Sequence, residues 1–334
     1  MKFYKLMFFL LMILGTMISI SAYSWFGMWM GLEINMISII PLFTHYKNMY
    51  SSEAAIKYFL TQAMASMMIL FSIIILSMNS LIYYDLNQMF ILITNSALLT
   101  KMGAAPFHFW FPEVIEGLNW FNSLILLTWQ KIAPMILIMY IIKMNYFIMM
   151  IIILSMIISS IMGFNQISLR KILAFSSINH IGWMLSALIY SKIIWLIYWL
   201  IYTIISINII FLFNKFKLFY INQLNSILNF SPMLKMFFLL NFFSLGGIPP
   251  FIGFFPKWMV IFMLNYNDQF FLSFIMIFFT LLTFYFYMRI MFSSLMININ
   301  SPIKLIKFNN FYMLNFNFLA LSSLLLFPLI FNFY

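Results

Sequence analysis

Apolar stretches of membrane-spanning length follow one another along almost the whole chain, and they constrain the fold more than any other feature. A membrane-spanning helix needs about 20 apolar residues. Of the 334 residues, 65% are hydrophobic and 7% are charged, and the mean hydropathy is +1.05. Soluble domains carry about 25% charged residues, so this chain cannot cover itself with a polar surface. We therefore predict an all-α, polytopic membrane protein.

Charged residues, Asn/Ser clusters and prolines divide the apolar sequence into eleven predicted spans. Their approximate bounds are 3–20, 24–44, 56–79, 87–112, 121–142, 145–166, 171–190, 193–213, 233–264, 270–292 and 314–333. The first stretch has the basic tip and apolar centre of a signal peptide, but a second apolar stretch follows at once. We therefore expect residues 1–20 to be a retained leading helix.

The distribution of basic residues supports eleven alternating spans. One side then receives twelve cations and the other receives Lys143 and Lys192. The twelve are Lys2, Lys5, Lys47, Lys57, Arg170, Lys171, Lys215, Lys217, Lys235, Arg289, Lys304 and Lys307. Because the positive side of a membrane protein faces the matrix or cytoplasm, we expect the N-terminus inside and the C-terminus outside.

Two of the predicted spans, 87–112 and 233–264, are long and are interrupted by the same pattern. The segments GAAPFHFWFP at 103–112 and GIPPFIGFFP at 247–256 both fit GxxPFxxxFP. Proline removes a backbone donor and interrupts a helix. The predicted helix-breaking residues are Gly103, Pro106, Gly247, Pro249 and Pro250.

The two copies lie in the fourth and the ninth span, five positions apart, so they cross the membrane in opposite directions. Discontinuous helices in inverted-topology repeats are typical of transporters. We predict one integral membrane domain, 1–334, that contains two five-helix repeats with one broken helix each. The repeat halves are about 21–142 and 143–292, after the leading helix and before a loop and last helix at 293–334.

Four charged residues lie inside predicted spans: Glu33, Lys101, Lys131 and Lys257. Lys131 is about ten residues from either end of its span, or roughly 15 Å from each interface, which is too far for its side chain to reach water. A buried charge costs several kcal/mol unless it is paired or hydrated. Structural ion pairs could explain one of the lysines, because Glu33 is the one central carboxylate.

A functional interpretation of these charges is a proton relay. Burial disfavours the charged form of a lysine and a nearby carboxylate favours it, so a lysine balanced between the two effects can load and release a proton. His180, near Ser176, Ser177 and Asn179, is either a relay member or a partner in a helix–helix hydrogen bond.

Several other functions are disfavoured by the sequence. The chain has no cysteine and three histidines, which excludes cysteine-ligated iron–sulfur clusters and disfavours a multi-histidine metal site. It has neither GxGxxG nor GxxxxGK[ST], so we expect it to bind neither NADH nor ATP. The net charge of +11 is spread thinly among apolar spans, which indicates topology signals rather than nucleic-acid binding. The 31 methionines fit a genetic code in which AUA encodes Met, as in animal mitochondria.

The segments SALLTKMGAAPFHFWFPEV, TWQKIAP, LRKILAFSSINHIGWM and SLGGIPPFIGFFPKW resemble the antiporter-like membrane subunits of respiratory complex I, a family related to Mrp-type antiporters. The resemblance covers nearly the whole chain. It implies a proton-pumping subunit of the mitochondrial inner membrane, with the N-terminus in the matrix and the C-terminus toward the intermembrane space. NADH, FMN, iron–sulfur clusters and ubiquinone would be bound by other subunits.

The resemblance also implies partners and residue roles. The partners are other membrane-arm subunits, including neighbouring antiporter-like subunits, and lipids such as cardiolipin. Glu33 and Lys101 would form a switching pair, Lys131 the central relay, and Lys257 the exit. The longer family members have fourteen spans, whereas here a single span precedes the helix of Glu33.

Two alternatives remain open on the sequence. A stand-alone cation/proton antiporter is one, although carboxylates suit sodium better than lysines and Glu33 is the one central carboxylate. A purely structural membrane subunit is the other, and it predicts that neutralising Lys131 leaves proton pumping intact.

Overall fold

The computed structural model describes residues 3–44, 48–78, 84–141, 146–228 and 232–296. Within them the ordered elements are helical, apart from one isolated antiparallel bridge between Ser168 and Tyr220. The helices are α1 (Phe3–Ser21), α2 (Trp25–Phe43), α3 (Met49–Met78), α4 (Tyr84–Met102), α5 (Trp110–Gly117), α6 (Trp120–Thr128), α7 (Ile132–Ile141), α8 (Tyr146–Gly163), α9 (Leu169–Tyr190), α10 (Lys192–Phe216), α11 (Ile221–Leu228), α12 (Pro232–Gly246), α13 (Phe254–Tyr266) and α14 (Phe270–Met296). A 3₁₀ turn, Trp129–Lys131, joins α6 to α7.

The prediction of an all-α, polytopic membrane protein is confirmed. Among the described residues, eight helical segments are long and apolar enough to cross a membrane. The first ten predicted spans each overlap one of these segments or a pair of shorter helices. The eleventh, 314–333, lies outside the described residues.

The structure differs from the predicted spans in several places, one of which is the 3₁₀ turn Trp129–Lys131 inside the predicted span 121–142. Helix α3 begins at Met49 rather than near residue 56, because the Asn48 side chain accepts a hydrogen bond from the Tyr50 amide at 3.1 Å and so caps the helix. The short helix α11 lies between the predicted spans 193–213 and 233–264, where the sequence predicts no span.

The chain forms two compact units, Met1–Ile151 and Ile152–Tyr334. The repeat boundary near residue 142 remains a prediction. In the first unit, α1 and α2 pack with their backbones almost in contact. A Cβ added to Gly31 would lie 2.5 Å from the Ser19 amide nitrogen, so glycine is what permits this approach. The Trp29 indole of α2 donates to the Ser66 carbonyl of α3 at 3.1 Å, which fixes α2 against α3.

Helix α9 is the core of the second unit. Its residues are buried from Ile172 to Leu188, and it packs against α10, α13 and α14. The side chain of Asn179 donates to the hydroxyl of Thr283 on α14 at 2.9 Å. This helix therefore carries its polar side chains into the interior of the unit.

Candidate functional site

The first broken helix ends at Met102, and α5 begins at Trp110. Gly103 has a φ of +74°. Its amide donates to the Thr100 carbonyl at 3.1 Å, and the Ala104 amide donates to Leu99, also at 3.1 Å. These two bonds around a left-handed glycine are the Schellman motif, which ends a helix while satisfying its last carbonyls. The break thus follows from the Gly103 position, and Pro106 lies in the turn that follows it.

The second broken helix ends in the same way. Gly247 has a φ of +81°. Its amide donates to the carbonyl of Ser244 at 3.2 Å, and the Ile248 amide donates to that of Phe243 at 3.4 Å. Pro249 and Pro250 lie in the following turn. The predicted pattern GxxPFxxxFP therefore corresponds to one local structure that occurs once in each unit.

Lys101 is the buried lysine of the first break. It lies in the last turn of α4 and is 7% exposed. The carbonyl end of a helix carries partial negative charge, which stabilises a cation in the last turn. The side chain of Gln62 on α3 donates to the Lys101 backbone carbonyl at 3.4 Å, so α3 contacts the helix end directly.

Lys257 is the buried lysine of the second break. It lies in α13, yet its side chain reaches back to the end of α12. Its ammonium donates to the carbonyls of Gly246 at 2.8 Å and of Leu245 at 3.2 Å. It also lies 5.9 Å from the ring centre of Trp183, within the range of a cation–π contact. Within the described residues, neither Lys101 nor Lys257 forms an ion pair shorter than 4 Å.

Lys131 lies in a turn that interrupts a membrane-spanning helix. It is 1% exposed and is the last residue of the 3₁₀ turn between α6 and α7. Its ammonium lies 5.8 Å from the ring centre of Phe111. The same ring packs against the first break, because a Cβ added to Gly103 would lie 3.1 Å from it. Phe111 thus contacts both the first break and the central lysine of this unit.

Glu33 lies near Lys101 without touching it. It is on α2, one helical turn after Trp29, so it faces the same side of the helix toward α3. Leu32 and Asn35, which flank it on α2, line a cavity together with Lys101, and Glu33 and Lys101 form no ion pair within 4 Å in the described structure. Its Oε1 atom is buried and has no hydrogen-bond partner among the described residues.

A group of uncharged polar side chains, which is not predicted from the sequence, lies beside Lys101. The side chains are Asn35, Tyr58, Gln62 and Gln130. With Lys101 they line a cavity that leaves about 10 Å³ for the centre of a water molecule, which is about the room of one ordered water. The sequence signal that could have identified this group is the presence of amide side chains inside predicted spans, because an amide in a membrane interior must find a hydrogen-bond partner.

His180 is buried in α9 and has a partner on the neighbouring helix. Its Nδ1 atom shares a hydrogen bond of 2.8 Å with the Tyr198 hydroxyl of α10. His180, Tyr198 and Tyr202 also line a small cavity with Ser244 and Leu245 at the second break. His180 therefore makes the helix–helix bond that the sequence allows, and it also lies beside a cavity at the end of α12.

The second break depends on one further glycine, Gly253. A side chain at this position would overlap the carbonyl oxygen of Ser244, so α13 begins directly against the end of α12. The described residues contain no group of three or more His, Asp or Glu side chains that could hold a metal ion.

Comparison with known proteins places these features in a family. Residues 22–283 match the family described as NADH:quinone oxidoreductase/Mrp antiporter, transmembrane. The chain is 48% identical to NADH-ubiquinone oxidoreductase chain 2 of Anopheles gambiae and 50% identical to that of Aedes aegypti, over 97% of both chains in each case. Its fold is similar to a chain of respiratory complex I from Thermus thermophilus, with a TM-score of 0.88 and 22% identity over 98% of this chain and 79% of the other.

Proposed function

The chain belongs to the NADH:quinone oxidoreductase/Mrp antiporter family, and we propose that it is a proton-translocating core membrane subunit of mitochondrial complex I. The observation that carries the proposal is the position of its buried lysines. Lys101 and Lys257 lie at the breaks of two membrane helices, and Lys131 lies in a turn that interrupts a third. Ionisable residues inside a membrane are costly and typically mark ion or proton pathways, and these three lysines all lie at interrupted helices.

Each lysine is placed so that its surroundings offset part of the cost of a buried charge. Helix-end carbonyls accept hydrogen bonds from Lys257, and aromatic rings lie within 6 Å of Lys131 and Lys257. These contacts are weaker than an ion pair with a carboxylate. An amine held in this way can gain or lose a proton when a nearby charge changes.

Glu33 is the charge that we propose changes the proton affinity of Lys101. Its neighbours on α2 line the same cavity as Lys101, and the two charged residues form no ion pair within 4 Å, so a small movement of α2 or α4 would alter their interaction without breaking a bond. Lys131 would then be the central relay and Lys257 the exit, as the family resemblance implies. Redox chemistry at NADH, FMN, iron–sulfur clusters and ubiquinone would take place on other subunits and drive these changes.

The subunit would lie in the mitochondrial inner membrane with its N-terminus in the matrix and its C-terminus toward the intermembrane space. The distribution of basic residues, twelve predicted on one side of the membrane and two on the other, supports this orientation. Its partners would be neighbouring membrane-arm subunits, including other antiporter-like subunits. Anionic lipids such as cardiolipin would bind at the basic matrix side. The names of the 48–50% identical relatives favour this function over a stand-alone antiporter.

The first test is whether the chain co-migrates with NADH-oxidising activity on a native gel of mildly solubilised membranes. The second is Lys131→Met, which removes the ammonium and keeps the length of the side chain. We expect coupled turnover to fall by about tenfold or more while the amount of assembled complex is unchanged. Lys192→Met, at an exposed lysine, is the matched control. Full coupling in Lys131→Met would refute the relay.

A further inference from the structure

The carboxamide of Gln130 joins the turn of Lys131 to the water-sized cavity beside Lys101. We propose that Gln130, held by Asn35 and Tyr58, positions the Lys131 turn against this cavity, and that the cavity binds one ordered water. The inference rests on the proposed function, because it assigns Gln130 as a positioning residue for proton transfer in the first unit. The test below separates its failure from the failure of the relay itself.

The backbone at Gln130 lacks the normal support of a helix. The 3₁₀ turn Trp129–Lys131 replaces α-helical geometry there, and the amide of Ile132 bonds to Trp129 instead of to the residue four positions back. Pro134 has no N–H group, so it cannot donate to the carbonyl of Gln130. Side-chain contacts therefore contribute more to holding the conformation of this turn than they do inside a continuous helix.

Those contacts come from α2 and α3. Gln130 and Asn35 form a reciprocal amide pair: Gln130 Nε2 donates to Asn35 Oδ1 at 2.9 Å, and Asn35 Nδ2 donates to Gln130 Oε1 at 3.3 Å. The Tyr58 hydroxyl donates to the same Oε1 at 3.4 Å. Asn35 is 3% exposed, and an amide buried this deeply in a membrane protein loses its partners at a high cost. The orientation of the Gln130 side chain is thus fixed by two other helices.

Tyr58 connects this network to the first helix break. Its ring packs edge-on against Phe43 at 5.2 Å and against Trp110 at 5.8 Å. The indole of Trp110 donates to the carbonyl of Thr100 at 3.1 Å, one residue before Lys101. A chain of contacts therefore connects the end of α4 through Trp110 and Tyr58 to Gln130, the residue before Lys131.

The cavity lies where these groups meet. Its lining includes the side chains of Asn35, Tyr58, Gln62 and Gln130, together with Lys101. A buried water needs two to four polar partners, and this lining offers amide donors, amide acceptors and a hydroxyl. Asn35 and Tyr58 occupy both lone pairs of Gln130 Oε1, but one Nε2 hydrogen remains after the bond to Asn35. Gln130 can therefore donate to a water and orient it without taking the proton itself. This makes Gln130 a positioning residue and leaves proton exchange to the lysines.

The decisive variant is Gln130→Met, which keeps the length and removes both polar atoms. We expect the protons translocated per NADH oxidised, or the rate of coupled turnover, to fall about fivefold, the change that corresponds to one lost buried hydrogen bond. Both are measured per assembled complex, so a purely structural role would not change them. NADH oxidation with an artificial electron acceptor should be unchanged. Asn35→Leu should have the same effect, and the double variant should be no worse than either single variant.

Asn122→Leu is the matched control, because Asn122 is another buried amide of this unit and donates to the Leu42 carbonyl at 2.8 Å away from the cavity. It should change the amount of complex and leave the coupling of each complex normal. If the complex does not assemble with Gln130→Met, the same measurements are made on Gln130→Asn. This variant keeps a carboxamide, but its side chain is too short to reach Asn35. Normal coupling in the assembled Gln130 variant, with impaired Lys131→Met, overturns only this inference. Normal coupling in Lys131→Met overturns the relay as well.

Discussion

The side chain of Lys257 crosses directly over Gly247. A Cβ added to this glycine would lie 2.8 Å from Cδ and 3.0 Å from Nζ of the lysine. Gly247 also has a φ of +81°, a conformation that residues with a Cβ rarely adopt. The position therefore requires glycine for two reasons, one in the backbone and one in the space that the lysine occupies.

The Gly247→Ala variant tests this relationship. We expect a destabilisation of about 1–3 kcal/mol from backbone strain, together with displacement of the Lys257 ammonium from the carbonyls of Leu245 and Gly246. Thermal inactivation of the purified complex measures the first effect, and coupled turnover measures the second. The helical Gly27 is the control, because it has no positive φ and an added Cβ would meet the Ala22 and Ser24 side chains at 3.1 and 3.2 Å rather than a lysine: Gly27→Ala should leave coupled turnover per assembled complex unchanged. Normal turnover in Gly247→Ala would show that the contact is dispensable.

The charge of Glu33, rather than its shape, should be what matters for coupling. Glu33→Gln keeps the size of the side chain and removes its charge from the surroundings of Lys101. We expect coupled turnover to fall about tenfold, with normal amounts of complex on native gels. Glu53→Gln, at an exposed glutamate of α3, should behave like the wild type. If Glu33→Gln turns over at the normal rate, Glu33 has a structural role.

The ion pairs of Lys57 should contribute little. Its ammonium lies 2.9 Å from Glu53 and 2.8 Å from Glu113, and so ties α5 to α3, but the lysine side chain is 40% exposed. Exposed ion pairs are worth about 0–1 kcal/mol. Lys57→Met should therefore lower stability by less than about 1 kcal/mol and leave coupling unchanged, as measured by thermal inactivation and proton uptake. A tenfold loss of coupling would instead place Lys57 in the proton path.

The close approach of α1 and α2 should be sensitive to any larger side chain at Gly31. Gly31→Leu would force the two backbones apart, at a cost of about 3 kcal/mol or more, and should reduce the amount of complex recovered on a native gel. Ile37→Leu, at an exposed position of the same helix, should have no effect. Full recovery of Gly31→Leu would mean that α1 can detach from α2 without loss of the complex.

The sequence predicted the helical spans and the two breaks because both depend on local chemistry. Hydropathy marks the spans, and a glycine followed by prolines marks each break. The turn at Lys131 was not predicted, because Pro134 lies three residues beyond it and the segment as a whole has the length and apolar content of a continuous span. Helix α11 was missed because its eight residues are too few to register as a span.

The candidate site was predicted only in part. Charged residues inside apolar spans stand out in a sequence, so Glu33, Lys101, Lys131 and Lys257 could be named. The partner of an uncharged amide could not be, because Asn35 and Gln130 are 95 residues apart and meet only in the folded chain. The same limit applies to His180, whose bond to Tyr198 depends on how α9 and α10 pack.

The two breaks supply their lysines from different places in the chain. Lys101 belongs to the helix that ends, whereas Lys257 belongs to the helix that follows and turns back toward the Gly246 carbonyl. When the two halves are aligned residue by residue, Glu113 falls opposite Lys257, which suggests that the second lysine has no counterpart. Both breaks nevertheless hold a lysine, at positions of the pattern that do not match. Repeats in such proteins should therefore be compared by the positions of their charged groups in the folded structure, and not only by aligned sequence positions.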